Sequence, residues 1–196
     1  MTRVEPIPRE DLPHLEPGFQ LIEAVMGFLP TSMRTMARVP GLAEGFQALA
    51  GAVMANPILD PGLGHMVSHV TSNAAGCRYC QAHTATTAAN SGTDPAKIAA
   101  LWEFETSDLF TDAERAALRL AFHAGQVPNA ATDEDFAACR EFYTEEEIAS
   151  IVSVCALFGY LNRWNDTMAT TLEAEPTAFA TANLSVNGWE AGRHAS

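Results

Sequence analysis

The chain has 196 residues, 47% of them hydrophobic, and a formal net charge of −13 at pH 7. That is enough for one well-cored domain, too short for two ordinary ones and too apolar for a disordered chain. So acidic a composition has no basic stripe to displace counterions from a nucleic-acid backbone and no attraction to an anionic membrane surface, which leaves solubility as its simplest reading.

Residues 1–17 read as an extended arm, interrupted by Pro6, Pro8, Pro13 and Pro17. They hold no apolar stretch of the secretory kind, so the expected compartment is a bacterial-type cytosol. Phe19 to Phe28 is the first helical run, with Phe19, Ile22, Val25 and Met26 on one face, closed by Gly27 and Pro30. A short helix follows over Ser32 to Val39. Pro40 opens the next, carried by Leu42, Phe46, Leu49, Ala50 and Val53. Asp60-Pro61 starts the helix that leads to the cysteines, with proline in its first turn.

That helix runs into Gly76-Cys77-Arg78-Tyr79-Cys80-Gln81-Ala82-His83-Thr84, and a small-residue helix continues to Gly92. Beyond it, Thr93-Asp94-Pro95, Thr111 to Glu114, Thr132 to Asp135 and Thr144 to Glu147 each read as a capped helix start. The longest helix carries Ile148, Ile151, Val152, Cys155, Phe158 and Leu161 at helical spacing. This apolar run is too short and too interrupted to span a bilayer. The tail from Thr177 reads as helical to Leu184 and irregular after it, with Trp189 as a docking anchor. No period-two alternation is sustained anywhere, so the fold class is all-α. The division expected is an arm over 1–17, a helical domain over 18–176 and a tail over 177–196.

The chemistry lies at the cysteines. Four cysteines do not make a disulfide scaffold, and a close pair then reads as redox-active or metal-binding. Cys77 and Cys80 stand three apart at a helix start, where free N–H groups and the helix dipole favour a thiolate and the sulfurs can meet in a disulfide. His83 lies one turn beyond Cys80 and is a candidate to take or relay a thiol proton. His65 and His69 share a face of the preceding helix. With Cys77 and Cys80 they form the alternative reading, a zinc-type metal module. Asn162-Arg163-Trp164-Asn165-Asp166 is a dense polar cluster in which Arg163 could hold a carboxylate, and interface or capping is its other reading. Cys139 and Cys155 read as packing. Nothing calls for an organic cofactor.

All-α order with Cys77-x-Tyr79-Cys80-x-x-His83 near the middle resembles the carboxymuconolactone decarboxylase superfamily in its alkyl hydroperoxidase D-like branch. The resemblance extends over about residues 18–175. It includes Met26-Gly27-Phe28-Leu29-Pro30, Ser72 to His83, Phe110 to Arg115 and Asn162 to Asp166. It implies a multi-helix bundle of that type, assembled as a symmetric homo-oligomer, which the apolar faces around Phe46, Phe122 and Phe158 also favour. It implies thiol-dependent reduction of a hydroperoxide, with Cys80 attacking, Cys77 resolving and a cellular dithiol restoring the pair. Two positions depart from the pattern. The relay glutamate expected twelve residues before the first cysteine is His65, and the relay histidine expected seven after it is Thr84, with His83 beside it. The decarboxylase branch generally lacks the cysteine pair, so the pair favours peroxide chemistry; a lyase or isomerase acting on a small acid, with the cysteines incidental, is a further alternative.

Overall fold

The computed structural model describes residues 2–195 and, among them, ten α-helices joined by turns and short 3-10 segments, with no strand. Helices α1 (Glu16–Met26), α2 (Thr31–Met36) and α3 (Leu42–Met54) come first. Then follow α4 (Pro61–Ala74), α5 (Arg78–Asn90), α6 (Pro95–Ala99), α7 (Asp112–Gly125), α8 (Asp133–Arg140), α9 (Glu145–Met168) and α10 (Ala174–Asn183). The sequence signals for these starts are met by side-chain caps. Asp60 Oδ1 accepts from the Leu63 N–H at 3.0 Å, and Thr111, Thr132 and Thr144 each close a reciprocal capping box.

α4 is the central element, packed against α5, α7 and α9. Val67, Val70, Leu118, Leu120, Ile151 and Val154 form the middle of this core, each at most 1% exposed. α4 and α7 cross tightly at Gly125, where a Cβ would stand 2.7 Å from the Thr71 carbonyl oxygen. α5 is buried along nearly its whole length, from Tyr79 to Ala88. Its alanines, Ala82, Ala85 and Ala88, let neighbours come close, and Thr84 and Thr86 satisfy their hydroxyls on backbone carbonyls one turn back. No described helix is long and apolar enough to cross a membrane.

The N-terminal segment departs from the extended arm expected. Arg9–Asp11 and Pro13–Leu15 are 3-10 turns, and Leu12 and Leu15 are buried with Phe19, Met33, Met36 and Ala43 in a second, smaller core. Pro17 lies inside the first turn of α1, where a missing N–H costs nothing, rather than ahead of the helix. Val25 is 63% exposed, so the apolar face expected of α1 is only partly covered. α10 begins three residues before the expected tail and packs on α5. Residue 176, taken as the end of the helical domain, thus lies within a helix.

Candidate functional site

The turn between α4 and α5 sets the cysteines. Gly76 has φ of +73°, a left-handed value that glycine adopts without strain, and the Cys77 N–H then donates to the Ser72 carbonyl at 3.2 Å. This makes Cys77 the N-cap of α5, its sulfur accepting from the Cys80 backbone N–H at 3.5 Å. Both side chains are buried, 1% and 2% exposed, and both thiols are free. The neighbouring Cys80 side chain pulls the Cys77 pKa below its ordinary value although burial opposes this. Burial pushes the Cys80 thiol well up, and its neighbour's charge adds to that. The amide of Asn165, reaching over from α9, donates to Cys80 Sγ at 3.6 Å and works the other way. Of the two sulfurs, Cys77 is the one more readily ionised.

His83 is on the same helix but turned to a different neighbour. Its Nε2 lies 2.6 Å from Glu173 Oε2, and its ring stacks on Tyr79 with centroids 4.0 Å apart. Glu173 also accepts from the Tyr79 hydroxyl at 3.0 Å and from the Thr31 N–H. Burial works to raise this carboxyl, but His83 and the donors outweigh it and hold the pKa down to about 2. Sequence reasoning missed Glu173. It stands 90 residues from His83, and the one local signal was Pro176, which marks a helix start just behind an acidic residue.

The other histidines are not brought to the sulfurs. His65 Nε2 meets Ser91 Oγ at 3.1 Å, and Ser91 caps the far end of α5, about 16 Å along the helix from Cys80. The pairing of His65 with the cysteines is therefore corrected: α4 and α5 run antiparallel, which sends its side chain to the opposite end. His69 is fully buried, with Nδ1 at 2.9 Å from Thr84 Oγ1, the position where the resemblance expects a histidine. Burial lowers its pKa to about 4, so it is neutral at pH 7. Among the described residues no group of three or more His, Cys, Asp or Glu side chains is placed to hold a metal ion, so the four residues of the metal alternative do not converge. Arg163 is solvent-exposed, whereas Asn162 and Asn165 of the same cluster point inward.

The segment after α10 folds back over the start of α5. Trp189 is 5% exposed, and its Nε1 donates to the carbonyl of Arg78 at 3.1 Å. His194 is 1% exposed, with Nδ1 at 2.8 Å from the Thr170 carbonyl oxygen and its ring tilted against Tyr79.

Residues 40–122, which include the whole α4–turn–α5 unit, match the family model described as the carboxymuconolactone decarboxylase family. The debrominase Bmp8 in its apo form is 37% identical in sequence, with a TM-score of 0.87, over 92% of this chain and 97% of that one. The chain belongs to the carboxymuconolactone decarboxylase family. A cysteine-to-alanine variant of the same debrominase in complex with 2,3,4-tribromopyrrole is similar at 36% identity and a TM-score of 0.88, over 93% of this chain and 97% of that one. A peroxidase-related protein with the alkylhydroperoxidase AhpD core, from Ralstonia eutropha JMP134, shares the fold at 24% identity and a TM-score of 0.80, over 91% and 95% of the two chains. No curated protein matches the chain. The family model ends within α7, so Asn165 and Glu173, the groups that meet Cys80 and His83, lie outside the matched residues.

Proposed function

We propose that this family member is a dithiol reductase that reduces small hydroperoxides with the Cys77–Cys80 pair. The observation that carries the reading is the placement of the pair: two buried, free cysteines at the start of α5, with the Cys77 sulfur at the N-cap accepting from the Cys80 backbone N–H. The Cys77 thiolate attacks the terminal peroxide oxygen. An S–O bond forms, the O–O bond breaks, and the alkoxide leaves and takes up a proton. The Cys80 thiol then attacks the sulfenic sulfur, an S–S bond forms, and water leaves. In sum a hydroperoxide and a dithiol become an alcohol, water and a disulfide, and an external dithiol restores the pair by exchange. A reducing cytosol suits this chemistry. Burial of both sulfurs favours a small acceptor.

This order of attack is the reverse of the one the resemblance implies, and single serine variants treated with one equivalent of peroxide test it. Cys80→Ser keeps a hydrogen-bond donor beside Cys77 and should trap a sulfenic acid there. Cys77→Ser leaves a thiol whose pKa burial raises, and it should react at least tenfold more slowly at pH 7. The opposite pattern restores Cys80 as the attacking sulfur.

A second acceptor is favoured by the similarity to the debrominase. A brominated heterocycle takes the same two electrons: sulfur takes the bromine, the ring carbon takes a proton, and Cys80 displaces bromide as the disulfide closes. Parallel assays with hydrogen peroxide and 2,3,4-tribromopyrrole under one dithiol separate the two acceptors, and turnover of neither removes the reductase reading. The same reading includes a second copy of the chain, docked on apolar side chains left open at Leu21, Val25, Leu49 and Phe122. A solution mass of one chain at micromolar concentration would remove that partner.

A further inference from the structure

The chemistry above leaves the inward half of the Asn162–Asp166 cluster almost unused. Asn162 and Asn165 stand three apart on α9 and so share a face. They are 4% and 1% exposed. Asn165 Nδ2 donates to Cys80 Sγ, but its Oδ1 has no partner, and neither end of the Asn162 amide has one. Three partnerless amide atoms on one buried face are costly unless something else supplies their hydrogen bonds. None of these atoms is exposed at the protein surface.

We propose that Asn162 and Asn165 form the polar wall of the dithiol site, Asn165 holding the Cys80 sulfur as charge moves onto it and the free amide atoms receiving the O–OH head of the bound hydroperoxide. The second half rests on the hydroperoxide reading; the first does not. A hydroperoxide head donates one hydrogen bond and accepts others, which matches an amide carbonyl beside an amide N–H. Because the fold has already removed these atoms from water, an incoming oxygen gains bonds without displacing a hydration shell. Asn165 acts through Cys80 and is a positioning residue. The titratable groups that act on that sulfur are Cys77 and Tyr79 on α5 and Asp166 on α9, while His69 of α4 reaches only the Cys80 carbonyl, through Thr84, and His194 of the tail only Tyr79.

The full chain is tested with two readouts. In the Cys77→Ser background, alkylation of Cys80 by iodoacetamide is followed against pH. Asn165→Leu should move the midpoint upward by about one pH unit, and Asn165→Gln, which keeps an amide donor, should recover part of that shift. In the otherwise native protein, Asn162→Leu should raise KM for hydrogen peroxide about tenfold, with a smaller change in kcat. An unmoved midpoint in Asn165→Leu overturns the positioning role, and an unmoved KM in Asn162→Leu overturns the substrate contact. Where Asn165→Leu fails to fold, Asn165→Ala takes its place, and an unmoved midpoint there has the same meaning. If the native protein reduces no hydroperoxide, the function and the Asn162 contact fall together, while the midpoint still decides Asn165.

Discussion

Two regions of this molecule hold buried cysteines, and they behave differently. Cys139 on α8 and Cys155 on α9 are 0% and 5% exposed, and burial raises both thiols to about 11. Cys77 is as deeply buried at 1%, yet its pKa is lowered. The difference is what faces the sulfur. Cys139 donates its own proton to the Ala116 carbonyl, whereas Cys77 caps a helix, accepts from the Cys80 N–H and has the Cys80 side chain beside it. Burial alone makes a cysteine inert, and a helix N-terminus with a second thiol beside it reverses the sign.

The largest expected effect tests that contrast directly. Cys77→Ala or Cys80→Ala should abolish disulfide-forming turnover, while Cys139→Ala and Cys155→Ala should keep it within about twofold. Timed alkylation with mass mapping of the native protein should label Cys77 first at pH 7 and leave Cys139 and Cys155 unlabelled until the pH approaches the values at which they ionise. Early labelling of Cys155 would break the comparison.

A smaller effect is expected at the second polar centre on α5. Glu173→Gln removes the partner of His83 and should cost about 3 kcal/mol of stability in denaturant titration. The Glu173 carboxyl is depressed from 4.5 to about 2, so its contribution is fully present above about pH 4.5 and is lost as the pH falls toward 2. The native protein should weaken over that window, and Glu173→Gln should weaken less steeply. Equal slopes would mean that the carboxylate carries no net stability. The smallest effect is that of Cys155→Ala, about 1 kcal/mol of lost packing, measured by the same titration.

Much of the fold was legible because its signals are local. The Thr111, Thr132 and Thr144 boxes and the Asp60-Pro61 start each act within four residues, and all four cap their helices. The proline-rich start misled for the same reason: Pro8, Pro13 and Pro17 mark breaks locally, but Leu12 and Leu15 are buried by α2 and α3, which no local pattern announces. At the site, the cysteine pair was legible as spacing and its acidity as position in a helix. The direction of His83 was not, because a side chain on a buried helix turns to whichever partner the tertiary fold brings, and here that is Glu173. His65 failed on geometry that spacing alone does not carry, the antiparallel course of α4 and α5.

The indole bond from Trp189 to the carbonyl of Arg78 has an optical consequence. Arg78 lies between the two cysteines, so the carbonyl on which that indole rests belongs to the short loop that a Cys77–Cys80 disulfide closes. The chain has three tryptophans, of which Trp102 is 56% exposed and Trp164 half-buried, leaving Trp189 as the one sealed against the redox pair. Its fluorescence emission is therefore expected to follow the oxidation state of the pair, and a stopped-flow trace unchanged by oxidant would remove that use.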